Sequence, residues 1–173
     1  QPFALPPQGV DIEGLERDLL VQALRRSRGN KTRAGKLLGL NRDQVRYRIL
    51  IIKLGALGDV IRTTPLLTKL REAYPGAFIT WLTASPEVLP SQVDEPLEYT
   101  LPSVVVLRSR PFDLLLNLDK DRDACALASQ ITAKQKKGFI LRDGLIAPAT
   151  PEAEHKYHTG IFNDVSQANR KSY

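Results

Sequence analysis

Two groups of residues in this sequence have types and spacings suited to chemistry. The first is a run of nine basic side chains, Arg25, Arg26, Arg28, Lys31, Arg33, Lys36, Arg42, Arg46 and Arg48, interrupted by one acid, Asp43. Charge of that density suits a polyanion, although a solvated helix face has the same look. Val45 and Ile49 are the inward positions of a short helix, which turns Arg42, Gln44, Arg46 and Tyr47 outward. Arg pairs bidentately with guanine and Gln with adenine, so these side chains are able to read base edges. Asn30, Lys31 and Thr32 fall at a helix start, where backbone N–H groups and short polar side chains hold phosphates. The alternative is a small three-helix packing element that is merely basic. The second group is Gly55-Ala56-Leu57-Gly58-Asp59, a glycine loop ending in a carboxylate. Two glycines let a substrate approach the backbone, and Asp59 could cap the following helix or take a proton from a sugar hydroxyl as a general base. A tight strand-to-helix turn with no ligand fits Gly-x-x-Gly equally well.

The surrounding pattern supplies the elements that must position these groups. Ile12, Leu15, Leu19 and Ala23, with Leu20 and Leu24, recur at helical spacing and predict an amphipathic helix from about Asp11 to Ser27. Gly29-Asn30 breaks it, and a second helix over Lys31–Leu38 buries Ala34, Leu37 and Leu38 and stops at Gly39. Asn41 with Gln44 three residues later reads as a capping box that opens a third helix. From Ile49 the pattern becomes strand and helix in alternation. Strands are expected at Ile49–Ile52, Ala77–Thr83, Val104–Leu107, Asp113–Leu118 and Gly138–Leu141, with a hairpin turn at Asp143-Gly144 leading into Leu145–Ala147. Helices are expected after Thr64-Pro65, with Leu66, Leu67 and Leu70 inward, and near Arg122–Ile131. This order implies an α/β fold: a three-layer, Rossmann-like parallel sheet preceded by an all-α helix-turn-helix, with the ligand crevice at the C-terminal ends of the strands.

Composition agrees with an ordinary folded protein. Of 173 residues, 42% are hydrophobic and 25% charged, which excludes disorder, and the single Cys125 excludes a disulfide framework and reads as a small buried hydrophobe. No apolar run approaches the ~18 residues that span a bilayer, and the start has no signal-like core, so the chain reads as cytoplasmic. The net charge of +6 is unevenly placed: residues 1–50 hold ten basic and five acidic side chains, the remainder fifteen and fourteen. No metal site is expected. Asp119, Asp121 and Asp123 alternate like a calcium loop, but Ala124 stands where Gly is required and Gln130 where the bidentate Glu should be. His155 and His158 lack further ligands and read as surface residues.

Two resemblances follow from these residues. Gly29-Asn30-Lys31-Thr32-Arg33-Ala34, Leu38-Gly39-Leu40-Asn41-Arg42 and Arg46-Tyr47-Arg48 resemble the Fis-type helix-turn-helix of NtrC-like bacterial enhancer-binding activators. Leu15-Glu16-Arg17-Asp18-Leu19-Leu20 looks like that family's first helix, through which the module forms a homodimer. The resemblance implies duplex DNA as partner, with Asn41, Arg42, Gln44 and Arg46 on the DNA and Asn30 and Thr32 on phosphates. Gly35 departs from the family's Ala, at roughly 1 kcal/mol of helix propensity. The string from Ile51 through Lys53-Leu54-Gly55-Ala56-Leu57-Gly58-Asp59 to Thr64-Pro65-Leu66-Leu67 resembles the opening of glycosyltransferase family nine, the lipopolysaccharide heptosyltransferases. Ile79-Thr80-Trp81-Leu82-Thr83, Phe112–Asp119 and Lys136-Lys137-Gly138-Phe139 extend the likeness. It implies one lobe of a GT-B fold, inversion at the anomeric centre, and no metal or other cofactor. Asp59 is then the catalytic base, and Gly55, Ala56, Leu57 and Gly58 form the acceptor-side loop. The substrates implied are a nucleotide-activated sugar donor and a lipopolysaccharide-core-like acceptor met at the inner face of the inner membrane.

The expected organisation is therefore 1–49 as DNA-binding module and 50–173 as acceptor-side lobe, with the donor lobe absent and the chain inactive alone. The alternative is a DNA-binding regulator fragment whose α/β part is a passenger or sensory domain. No linker separates the halves. The third helix would run beyond Arg48, whereas Ile49–Leu54 would be a central strand, so the helix is expected to end near Arg48–Ile49. Zero linker, no methionine and a missing lobe predict a joined or truncated reading frame.

Overall fold

The computed structural model describes residues 5–40, 45–151 and 153–154. The chain forms two compact units, one of Gln1–Tyr47 with Leu66–Ala77 and one of Arg48–Pro65 with Phe78–Tyr173.

The first unit is built on helices α1 (Ile12–Arg26) and α2 (Lys31–Leu38). The turn between them uses left-handed backbone at Arg28 (φ 51°) and Gly29 (φ 79°), and the Gly29 N–H donates back to the Leu24 carbonyl at 2.8 Å. Gly39 (φ 68°) ends α2, with the Leu40 N–H returning to Gly35 O at 2.9 Å. Leu20, Ala23, Leu24, Ala34 and Val45 form the small core, flanked by Leu38 and Leu40. The apolar stripe is only half used: Ile12 is 67% exposed and Leu37 59%. Eight residues of α2 span ~12 Å against ~22 Å for the fifteen of α1, so α2 covers only part of that stripe. Leu37 falls on the flank of the Ala34–Leu38 face rather than on it. Helix α4 (Leu66–Ala73) and the Tyr74–Ala77 segment belong to this unit. Tyr74 stacks on Tyr47 with ring centroids 4.5 Å apart and planes at 12°.

The third helix expected through Arg48 is not formed among the described residues. Val45–Tyr47 is turn and irregular backbone, and strand β1 (Arg48–Ile52) begins at once; Asn41–Gln44 lie outside the described residues. Burial decides the competition. Ile49, Leu50, Ile51 and Ile52 are all fully buried in β1, each apolar side chain contributing about 1.5–3 kcal/mol. A last helical turn would leave part of this set in water, and both faces of a central parallel strand are covered.

The second unit carries a six-stranded sheet in the order β3-β2-β1-β4-β5-β6. It adds β2 (Phe78–Thr83), β3 (Glu95–Glu98), β4 (Phe112–Asn117), β5 (Ala133–Arg142) and β6 (Leu145–Pro148) to β1. The pairs through β5 are parallel, and β6 returns antiparallel through the Asp143-Gly144 turn. Helices α5 (Leu101–Arg108) and α6 (Arg122–Gln130) cover one face, where Leu107, Ala124, Leu127 and Ala128 pack with Leu50, Ile52, Leu82 and Leu115.

Two assignments from sequence change. Val104–Leu107 is not a strand but the heart of α5, whose cap Thr100 accepts from the Ser103 N–H at 3.4 Å. Parallel neighbours need a crossover, and between β3 and β4 this helix supplies it. Thr64 does not open α4. Its hydroxyl donates to the Ile61 carbonyl at 2.8 Å, closing helix α3 (Leu57–Thr63) instead.

Candidate functional site

Strand order reverses at β1. From it the chain moves outward through β2 to β3, then returns to place β4 on the other side. In open parallel sheets this reversal splays the connections apart and opens a crevice beyond the C-terminal ends of the two central strands. The residues there are Lys53, Leu54 and Gly55 after β1, and Leu118 and Asp119 after β4.

A buried ion pair closes the floor of the crevice. Lys53 is 8% exposed and Asp119 5%, and the Lys53 ammonium pairs with Asp119 Oδ1. Asp119 Oδ2 accepts from the backbone N–H of Leu54 and, at 3.2 Å, of Gly55. The carboxylate thus ties the end of β4 to the start of the loop after β1. Asn117 supports it: its Oδ1 accepts from the Asp119 N–H at 3.1 Å, and its Nδ2 donates to the Phe139 carbonyl of β5 at 2.7 Å. Gly138 (φ 92°) makes that approach possible, since a Cβ there would lie 1.8 Å from Asn117 O. Cys125, fully buried, lies beside the same group, with Asn117 Nδ2 3.6 Å from its sulfur. Burial pushes the Cys125 thiol up to about 11 against the partial relief of Asn117, with Asp119, Asp121 and Asp123 adding to the rise.

The glycine loop stands above this floor, and its two glycines do different things. A Cβ on Gly55 would lie 3.0 Å from Lys53 Nζ and 3.4 Å from Asp119 Oδ1, so the missing side chain there makes room for the buried pair rather than for a substrate. Gly58 has nothing within 4 Å of its Cβ direction and keeps that side open. The loop is shorter than the sequence suggests, because α3 starts at Leu57 with Ala56 in the cap position. Asp59 therefore does not cap. It lies in the first helical turn, where a carboxylate complements the helix dipole, and its side chain is 43% exposed. Arg62, one turn on and 81% exposed, pairs with Asp59 Oδ1; such a solvent-screened pair adds little stability. A half-exposed carboxylate can accept a proton from a hydroxyl held beside it.

The calcium-like triad is dispersed. Asp119 turns inward to Lys53, while Asp121 and Asp123 are exposed at the start of α6. No group of three or more metal-capable side chains occurs among the described residues. His155 and His158 lie outside the described residues.

Sequence reasoning passed over Lys53, Asn117 and Gly138 and treated Asp119 only as a false calcium ligand. A signal was available: a lysine directly after four buried apolar residues must find a counter-charge, since burying it unpaired is costly. Which acid would answer it was not legible, because the partner lies 66 positions away.

In the first unit, Asn30 caps α2, its Oδ1 accepting from the Arg33 N–H at 3.0 Å, and Thr32 is exposed on the first turn. Arg46 is half-buried in the irregular segment beside the stacked Tyr47, not presented from a helix. Asn41, Arg42 and Gln44 lie outside the described residues. Gly35 has a packing reason: a Cβ there would lie 2.4 Å from the Leu40 carbonyl oxygen.

Residues 12–50 match the family model described as bacterial regulatory protein, Fis family. No curated protein matches the chain. Among solved structures it is similar to a glycosyl transferase family 9 protein from Veillonella parvula DSM 2008, at 26% identity and TM-score 0.44, over 54% of this chain and 32% of that one. It is also similar to E. coli heptosyltransferase WaaC with ADP, at 21% identity and TM-score 0.45, over 62% of this chain and 43% of that one. The same enzyme with ADP-2-deoxy-2-fluoro heptose aligns at 19% identity and TM-score 0.44, over 73% and 50%. The matches thus span from 32% to 50% of the length of these structures. No described helix is long and apolar enough to cross a membrane.

Proposed function

We propose that residues 12–50 form a duplex-DNA-binding module and that the α/β unit is the acceptor-side lobe of an inverting nucleotide-sugar transferase. The Fis-family match over residues 12–50 carries the first part. The basic run from Arg25 to Arg48 supports it by supplying charge for the phosphates, and the exposed Ile12 and Leu19 of α1 are available to a second copy; the resemblance assigns Asn41, Arg42, Gln44 and Arg46 to DNA contact and Asn30 and Thr32 to phosphates. Binding to mixed-sequence duplex DNA measured against salt tests it. The logarithm of the affinity should fall by about 0.9 per phosphate contacted for each unit of log salt. Binding that does not depend on salt sinks the proposal.

A second observation favours the transferase part: the half-exposed Asp59 lies in the first turn of α3, just after the loop that leaves β1 where the strand order reverses. Asp59 takes the proton from an acceptor sugar hydroxyl as the hydroxyl oxygen attacks the anomeric carbon, and the nucleoside diphosphate leaves with the bonding electrons. Gly58 leaves room for the acceptor beside the backbone. Both substrates must be held together for this step, so turnover requires a donor-binding site beside this lobe. With that site present, Asp59→Asn should reduce transfer by about 10²–10⁴-fold; unchanged turnover removes Asp59 from the role of base.

A further inference from the structure

The Fis-family match runs to residue 50, and β1 starts at residue 48. Arg48, Ile49 and Leu50 therefore fall in both. The resemblance to the activator family runs a helix through these residues, and a helix turns each successive side chain by about 100° and a strand by about 180°, so no single backbone serves both uses.

The sheet holds these residues from several sides. Ile49 and Leu50 are fully buried, registered against Ile79 and Thr80 of β2 and against Leu114 and Leu115 of β4. The Arg48 N–H donates to Asp113 Oδ2 at 2.8 Å. Just before the strand, Val45–Tyr47 is also non-helical, and Tyr47 is stacked on Tyr74.

We propose that β1 inhibits the DNA-binding module of its own chain: the DNA-reading helix and the central strand compete for Arg48–Leu50, and tight binding to duplex DNA requires those residues to leave the sheet. This rests on the DNA-binding reading above and adds the regulation of that site. The observed affinity is the intrinsic affinity multiplied by the fraction of chains in the competent state. Coupling of this kind is reciprocal, so DNA that captures the helix must also loosen β1.

The test compares three full-length proteins for binding to mixed-sequence duplex DNA at low salt. One is the native chain. A second carries a Gly/Ser linker and a second copy of Arg48-Ile49-Leu50 inserted after Leu50, so that helix and strand each have their own residues. A third carries the linker alone. The second protein should bind at least about tenfold more tightly than the other two, as removal of a competence penalty requires. Equal affinity in all three overturns the proposal while leaving the DNA-binding reading intact, and a gain shared by the linker-only protein overturns it by assigning the effect to slack. Absence of binding by all three removes the DNA-binding reading and this proposal with it. Should the insertions fail to fold, amide exchange on the native chain decides. Near-saturating DNA should speed exchange at Ile49 and Leu50, and unchanged rates overturn the competition.

Discussion

Lys53 and Asp119 form a buried ion pair across the point where the strand order reverses, and the same carboxylate accepts from the backbone of Leu54 and Gly55. The two partners are not equivalent. Asp119→Ala leaves the Lys53 ammonium buried without its counter-charge and strips two loop N–H groups of their acceptor, an expected loss of about 3–5 kcal/mol. Lys53→Met leaves the carboxylate its two backbone donors and should cost less. Urea unfolding of both variants checks the order; equal losses contradict it.

Gly55→Ala and Gly58→Ala should separate floor from mouth. The first pushes a methyl toward Lys53 Nζ at 3.0 Å and should destabilise the unit. The second meets open space within α3 and should gain up to about 1 kcal/mol of helix propensity. Thermal melts read both, and a stabilising Gly55→Ala refutes the division of roles.

Gly35→Ala restores the residue usual in the resembled activator family. In a free helix it would add roughly 1 kcal/mol. Here the added Cβ meets the Leu40 backbone oxygen at 2.4 Å, a contact that no side-chain rotation relieves. The expected result is net destabilisation, and a rise in melting temperature would mean that the Leu40 carbonyl does not sit where the structure places it.

Cys125 should be inert to alkylation in the folded chain near neutral pH and react only on unfolding, because it is fully buried. Its thiol is held protonated up to about 11 against an ordinary value of 9.0. The folded state therefore keeps a proton that the unfolded state releases. Stability from this group is fully present below pH 9 and is lost as pH rises through about 11. At about 1.4 kcal/mol per unit, the loss is roughly 2–3 kcal/mol. Comparing denaturation of native and Cys125→Ala chains between pH 8 and 11 isolates it; parallel curves would contradict the assignment.

Local pattern revealed most of the helices and the buried strands, because periodicity reports burial directly. It failed where tertiary demand overrode local preference. Val104-Val105-Val106 is β-branched and reads as strand, yet it lies in a crossover helix capped by Thr100. Glu95–Glu98 escaped notice because a proline and two acids suit only an edge strand, which is where β3 lies. Of the candidate site, the Gly55–Asp59 string was visible as a loop, but the part of it that serves the buried pair was not.

By itself the sequence determined that a basic helical segment precedes an alternating α/β segment, since charge and apolar spacing are local quantities. The tertiary structure decided the ownership of Arg48–Leu50, because only the neighbours β2 and β4 can pair with that strand along both of its edges. It also decided which acid answers Lys53. A buried charge announces that it needs a partner, but the choice among the chain's carboxylates is made by the sheet, which brings the ends of β1 and β4 side by side.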